Sequence, residues 1–222
     1  MPDLPFIGDI RAELDDRFRA REVAVTRGRD LIRAAANAIR ALHRGEWDVA
    51  DEKLAEADSI HREIVGHIST QPAMFDAGFF TDAVKELAEA HLTRALFRGD
   101  PLPGPADLSI DPIPWLHGLG ESVGELRRRL LDLLRDGEVE EAERLLEAMD
   151  DIVDQLAEID YPDGMTHGLR RTTDVARSLT ERSRADLTTT VVQERLSRRL
   201  DAWNERAADG PPPVGEPGPA SG

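Results

Sequence analysis

The stretch Trp115–Asp136, WLHGLGESVGELRRRLLDLLRD, decides the fold. Leu116, Leu119, Val123, Leu126, Leu130 and Leu133 recur at alternating intervals of three and four. That spacing lines one face of an α-helix and fits no strand, where apolar residues alternate every second position. Gly137 stops the helix. On its C-terminal side, Glu138 to Glu158 reads as a further helix, and Tyr161, Pro162, Asp163 and Gly164 form a turn before a last helix from about Met165 to Trp203. On its N-terminal side, Gly99 to Pro114 holds five Pro and two Gly and must be a connection. Further back, Phe18, Val25, Ile32 and Ile39 recur every seven residues, with Ala35 and Leu42 three places on, predicting a long first helix from Asp9 to His43 that Gly45 ends. A second helix is expected over Glu46 to His67 and a third from Pro72, a helix-starting residue, to Phe97.

The pattern is that of an all-α protein, a single-domain bundle of six or seven mostly long antiparallel helices. An N-terminal extension is expected over residues 1–8, the helical domain over 9–206, and a disordered Pro/Gly-rich tail over 207–222. The acidic start, with Asp3 and Asp9, and the absence of an apolar run of about 20 residues predict a cytoplasmic protein that does not enter a membrane.

The 222 residues carry 44 acidic and 28 basic side chains, a formal net charge of −16, with no Cys. Thiol catalysis, disulfides, Cys-bound zinc and iron–sulfur clusters are excluded. Of the cations only Lys53 and Lys85 are lysine. Excess carboxylate with almost no lysine is expected of a protein working in concentrated salt, where self-repulsion is screened within about 3 Å at 1 M, so a halophilic source is expected. The charge is uneven. Arg11 to Arg44 has nine Arg against five acids, Glu46 to Asp160 has 10 basic against 28 acidic residues, and Tyr161 to Arg206 has nine Arg against seven acids. Two basic regions flanking an acidic middle suit an anion-binding face beside a cation-binding one, and equally suit solvated helices on which Arg spaces the acids.

Two acid pairs could carry chemistry. Glu86 and Glu89 lie at i and i+3, Glu121 and Glu125 at i and i+4, so each pair leaves one face of its helix. Brought together they would make an oxygen-rich cluster suited to Mg²⁺ or Mn²⁺. The same spacing recurs at Glu140/Glu143 and Asp150/Asp154, and on a helical wheel both pairs fall opposite the apolar stripes Phe80, Val84, Leu87 and Leu119, Val123, Leu126, which is how a solvated face looks. A di-iron site needs Glu-x-x-His, which does not occur; the nearest pairs are Asp58 with His61 and Glu63 with His67. No Gly-x-x-x-x-Gly-Lys phosphate loop is present.

Three stretches resemble the translin and translin-associated factor X (TRAX) family, in particular its archaeal, haloarchaeal-like members. Ala38-Ile39-Arg40-Ala41-Leu42-His43-Arg44-Gly45-Glu46 resembles the end of the family's first helix. Leu119 to Arg128 resembles the TRAX stretch in which an acid is followed, after three residues, by Gly-Glu-Leu. Asp160-Tyr161-Pro162-Asp163, with Gly168-Leu169-Arg170-Arg171 and Asp174-Val175-Ala176-Arg177, is similar to the archaeal C-terminal signature.

The resemblance implies an all-helical subunit that assembles into a closed homo-oligomeric shell, often an octamer, binding RNA or single-stranded DNA. It also implies the activity of TRAX-like members, Mg²⁺-dependent endoribonucleases, with translin itself a non-catalytic nucleic-acid-binding shell as the alternative. Glu86 and Glu89 match the family's first metal-binding element, and Glu121 and Glu125 the second, so these four carboxylates are the expected catalytic and Mg²⁺- or Mn²⁺-binding residues. Glu121 stands where TRAX has Asp. A basic stretch of translin before the third helix is not reproduced, Phe79, Phe80, Thr81 and Asp82 lying there instead. From the charge division, Arg17, Arg21, Arg27, Arg170 and Arg171 are the expected phosphate contacts.

Overall fold

The computed structural model describes residues 4–208 other than 72, 73 and 76. Eight helices and no strand occur among them: α1 (Ile7–His43), α2 (Trp47–Ile68), α3 (Gly78–Arg98), α4 (Pro105–Leu108), α5 (Pro112–Asp136), α6 (Val139–Ala157), α7 (Asp163–Thr166) and α8 (Leu169–Ala208). Six are long, and two are single turns set into connections. No helix of the described residues is long and apolar enough to cross a membrane. The expected tail lies outside the described residues beyond Ala208.

Local chemistry fixes the boundaries. Asp111 caps α5, its carboxylate accepting from the Ile113 N–H at 2.9 Å, and Pro112 occupies the first turn, where its missing N–H costs nothing. Helix α5 therefore begins within the stretch that the proline count assigned to a connection. Gly99 and Gly137 end α3 and α5 in the left-handed conformation. Pro72 lies outside the described residues; α3 starts later than expected, at Gly78, after Ala77 adopts extended backbone at φ −73° and ψ 127°. The last helix is delayed in the same way, because His167 and Gly168 both take positive φ between α7 and α8.

Helix α3 is the axis of the bundle. It packs against α1 and α2 on one side and α5 on the other, and α5 in turn carries α6 and α8. One core joins Leu92, Leu126, Leu130, Leu145, Met149 and Leu169 across α3, α5, α6 and α8. A second joins Leu31, Ile60, Ile64, Phe80 and Leu87 across α1, α2 and α3. The buried face of α1 runs through Ala24, Gly28, Leu31, Ala35, Ala38 and Leu42, which corrects the expected seam at its start: Phe18 is exposed, and Val25 and Ile32 are half-buried. Small residues win the contact because they let α1 approach α2 and α3 closely, and the first turns of α1 extend past any partner within the chain.

Helix α5 meets its neighbours through glycine. A methyl group added at Gly118 would lie 2.8 Å from the Ala88 Cβ and 2.9 Å from both the Glu89 N and the Lys85 O, so α5 sits against the α3 backbone itself. Gly124, one and a half turns on, has its nearest neighbour, Leu179 Cδ1, at 3.9 Å. Gly118→Ala is therefore expected to lower stability by about 1–3 kcal/mol through overpacking. Gly124→Ala is expected to be neutral or to gain up to about 1 kcal/mol from helix propensity. Urea unfolding of both variants checks the contrast, and equal midpoints would remove the argument for a close α3–α5 contact.

Candidate metal centre between α3 and α5

The close approach at Gly118 brings three of the four acids together. Glu86 and Glu89 leave α3 and Glu121 leaves α5 one turn beyond Gly118, and one carboxylate oxygen from each lies within 4.8 Å of the others. Glu89 is 8% exposed, while Glu86 and Glu121 are half-buried. The helical wheel had placed these acids on a solvated face, and the structure corrects that reading. Helix α3 buries residues on every side, including Phe80, Val84, Leu87, Ala88, Ala90 and Thr93, so the face opposite its main stripe is an interface as well.

Glu125 stands apart from the three. Its carboxylate pairs with the Nε2 of His43, at the end of α1, and lies 4.0 Å from the Arg128 Nη1. His43 is buried, packs edge-on against the Phe97 ring at 5.2 Å, and has no partner for its Nδ1 among the described residues. Lys85 bridges the other acids, its Nζ 2.6 Å from Glu121 and 3.3 Å from Glu86. Burial pulls the Lys85 ammonium down, and the two carboxylates outweigh it, holding the pKa above the usual lysine value. Neither Lys85 nor His43 was singled out from the residue pattern. The signals were there: Lys85 is one of two lysines in an arginine-rich chain and adjoins Glu86, and His43 lies within the family-like stretch ending α1.

The expected phosphate-contacting arginines are spread over the surface. Arg17 pairs with Glu13 and Arg170 with Asp160. Arg21 pairs with Glu22 and lies over the Phe79 ring at 5.7 Å. Arg27 is held across α1 and α2 by Glu63, at 3.0 Å, and by Asp30 at 2.9 Å. Arg171 is exposed and forms no ion pair among the described residues.

The all-helical bundle is that of a translin-like subunit, and the comparisons agree. The crystal structure of AfC3PO is 30% identical over 84% of this chain and 97% of that one, with a TM-score of 0.79. The AfC3PO–duplex RNA complex matches at 30% identity and a TM-score of 0.75, again over 84% and 97%. Apo-NeC3PO shares the fold at 17% identity and a TM-score of 0.78, covering 86% of this chain and all of its own. An uncharacterized protein of Methanocaldococcus jannaschii is 26% identical over 190 residues, 84% of this chain and 83% of that protein. No family model matches the chain. The chain belongs to the translin/TRAX-type C3PO family.

Burial first, and then the charges of Glu86, Glu121 and Glu125, push the Glu89 carboxyl up to about 8 from the ordinary 4.5. The folded chain thus keeps a proton that the unfolded chain releases. Stability from the neutral carboxyl is complete below pH 4.5 and is lost as pH rises through 8. In EDTA at constant salt, the melting temperature should fall across that interval, and Glu89→Gln should flatten the fall and melt higher at its alkaline end. A wild-type melting temperature that holds level over the same interval would contradict the assignment.

Proposed function

We propose that this protein is a metal-dependent endoribonuclease acting on single-stranded or processed RNA. The observation that carries the reading is the convergence of Glu86, Glu89 and Glu121 on one point between α3 and α5. Three carboxylate oxygens without a thiol or imidazole among them form a hard donor set, suited to Mg²⁺ or Mn²⁺ and unsuited to soft metals. The buried, protonatable Glu89 fits as well, since a divalent cation removes the repulsion that raises its pKa. When bound, such an ion supplies Lewis-acid polarisation and neutralises negative charge developing on a phosphoryl group. Glu125, steered by His43, is left free of the three to orient water as a general base. The AfC3PO–duplex RNA complex supports RNA as the ligand class.

The same reading includes assembly into a homo-oligomeric shell, with an octamer as the expected form. Supporting it, the first turns of α1 expose Ile7, Ile10, Leu14 and Phe18, and the end of α8 exposes Val192, Leu196, Leu200 and Trp203, each set at helical spacing. One observation favours the alternative, a non-catalytic shell that binds RNA or single-stranded DNA. The Lys85 ammonium already offsets part of the charge of Glu86 and Glu121, a task a metal would otherwise perform.

Cleavage of an end-labelled single-stranded RNA in high KCl separates the two. The nuclease reading expects cleavage with Mg²⁺ or Mn²⁺, none in EDTA, and loss in Glu89→Gln and Glu125→Ala with RNA binding retained. Binding without cleavage in every condition would establish the alternative, and cleavage surviving Glu89→Gln would overturn the site.

A further inference from the structure

A cavity of about 480 Å³ opens among the C-terminal half of α2, the start of α3, and the turns carrying α4, α7 and the start of α5. It shares the walls Thr81, Ile113, Pro114 and His167 with a smaller recess that reaches Lys85 and Glu121. The two form one trough, apolar at one end and carboxylate-lined at the other. The volume lies within the range of about 300–1,000 Å³ typical of small-molecule sites.

Two observations suit the apolar end to an occupant. His61 is 4% exposed and lines the cavity, yet its ring makes no hydrogen bond among the described residues. Buried polar groups are as a rule paired, and a group entering the cavity can supply the imidazole with a partner. Its ring stacks on Phe80 at 6.1 Å between centroids and 20° between planes, with Phe75 edge-on to Phe80 at 5.7 Å, making an aromatic wall. The only non-glycine residues at positive φ among those described, Ser109 at 55° and His167 at 51°, both line this one cavity. They are the left-handed C-cap residues of α4 and α7.

The lining also selects the occupant. Among the described residues no Lys or Arg contributes to the cavity, and the one carboxylate that does, Asp111, is engaged in capping α5, so none of these side chains favours a phosphate there. Aromatic and aliphatic walls with a neutral donor–acceptor group suit a planar, uncharged heterocycle. Burial keeps the His61 imidazole below its usual pKa, leaving one ring nitrogen to donate and the other to accept. His117, which lines the smaller recess, donates from Nε2 to the Thr166 carbonyl and pairs through Nδ1 with the Thr172 hydroxyl, each at 2.9 Å.

We propose that the cavity takes one unpaired nucleobase of an RNA strand, against His61, Phe75 and Phe80, while the adjoining phosphodiester lies at Glu86, Glu89 and Glu121. The proposal rests on the nuclease reading for the position of the phosphodiester and extends it to the base beside the bond. A nucleotide must leave its stack to enter, so the strand is gripped where it is single-stranded or easily opened.

The test is binding by the full chain, in EDTA, of single-stranded oligoribonucleotides carrying 2-aminopurine or an abasic residue at successive positions. One position should differ from its neighbours in fluorescence on binding, and an abasic residue there should weaken binding about tenfold, the scale of one aromatic-stacked base. Met165 stands 60% exposed at the rim, so Met165→Trp closes the mouth without entering the core. In that variant the distinctive position should vanish, intact RNA should bind about tenfold more weakly, and the abasic residue should add no further loss. No distinctive position, or an abasic penalty unchanged in Met165→Trp, overturns the base site. An altered oligomer size in the variant with RNA binding unchanged gives the cavity to a neighbouring subunit and overturns it too. Metal-dependent cleavage persisting beside either failure leaves the nuclease standing alone, whereas the fluorescence signature without cleavage in Mg²⁺ keeps the base site and removes the nuclease.

Discussion

The contact of Gly118 with the backbone of Lys85 and Glu89 is the constraint on which the candidate site depends. With any side chain there, α5 would have to stand away from α3, and Glu121 would leave Glu86 and Glu89. A helix-interior glycine costs about 1 kcal/mol relative to alanine, and here that cost holds two backbones close enough for acids on both helices to share one space. Gly120 makes the corresponding contact on the next face, where an added methyl would lie 2.5 Å from Thr172 Cγ2 of α8. Helix α5 is thus clamped between α3 and α8 through two glycines two residues apart, and Glu121 follows directly on the second.

Once the acids converge, electrostatics governs the rest. Burying Glu89 beside Glu86 and Glu121 disfavours its charge, and the protein meets that in two ways, by keeping a proton on Glu89 and by placing Lys85 across the other two. A divalent ion bound by these carboxylates would release the Glu89 proton, so its affinity would rise with pH. Glu125 escapes the crowd through His43, whose ring is held in place by Phe97. In that way the end of α1, far off in the chain, contributes to the site.

The fold was legible where one face of a helix decides burial. The leucine spacing of α5 and the glycines after α3 and α5 gave those elements directly. Reading failed where both faces are buried: α3 has no solvent side against which to define a stripe, so its acids looked solvated. It failed also where small residues make the contact, as along α1, since Ala and Gly register weakly beside Phe18 or Ile32. The single turns α4 and α7 lie inside Pro/Gly-rich segments whose composition signals only a connection. At the site, spacing supplied the two acid pairs but not their meeting, which needed the resemblance to a known family. The pairing of His43 with Glu125 and the walls of the His61 cavity join helices distant in sequence and could be found only in three dimensions.

The central claim is that α3 and α5 together form a site for a hard divalent cation. Titration of the full-length protein with Mn²⁺, followed by the electron paramagnetic resonance signal of the free ion, tests it without reference to any RNA. The account predicts one saturable site per chain, tighter at pH 8 than at pH 6, and lost in Glu89→Gln. Mn²⁺ that remains free at millimolar concentration, or that binds wild type and Glu89→Gln equally, would contradict it.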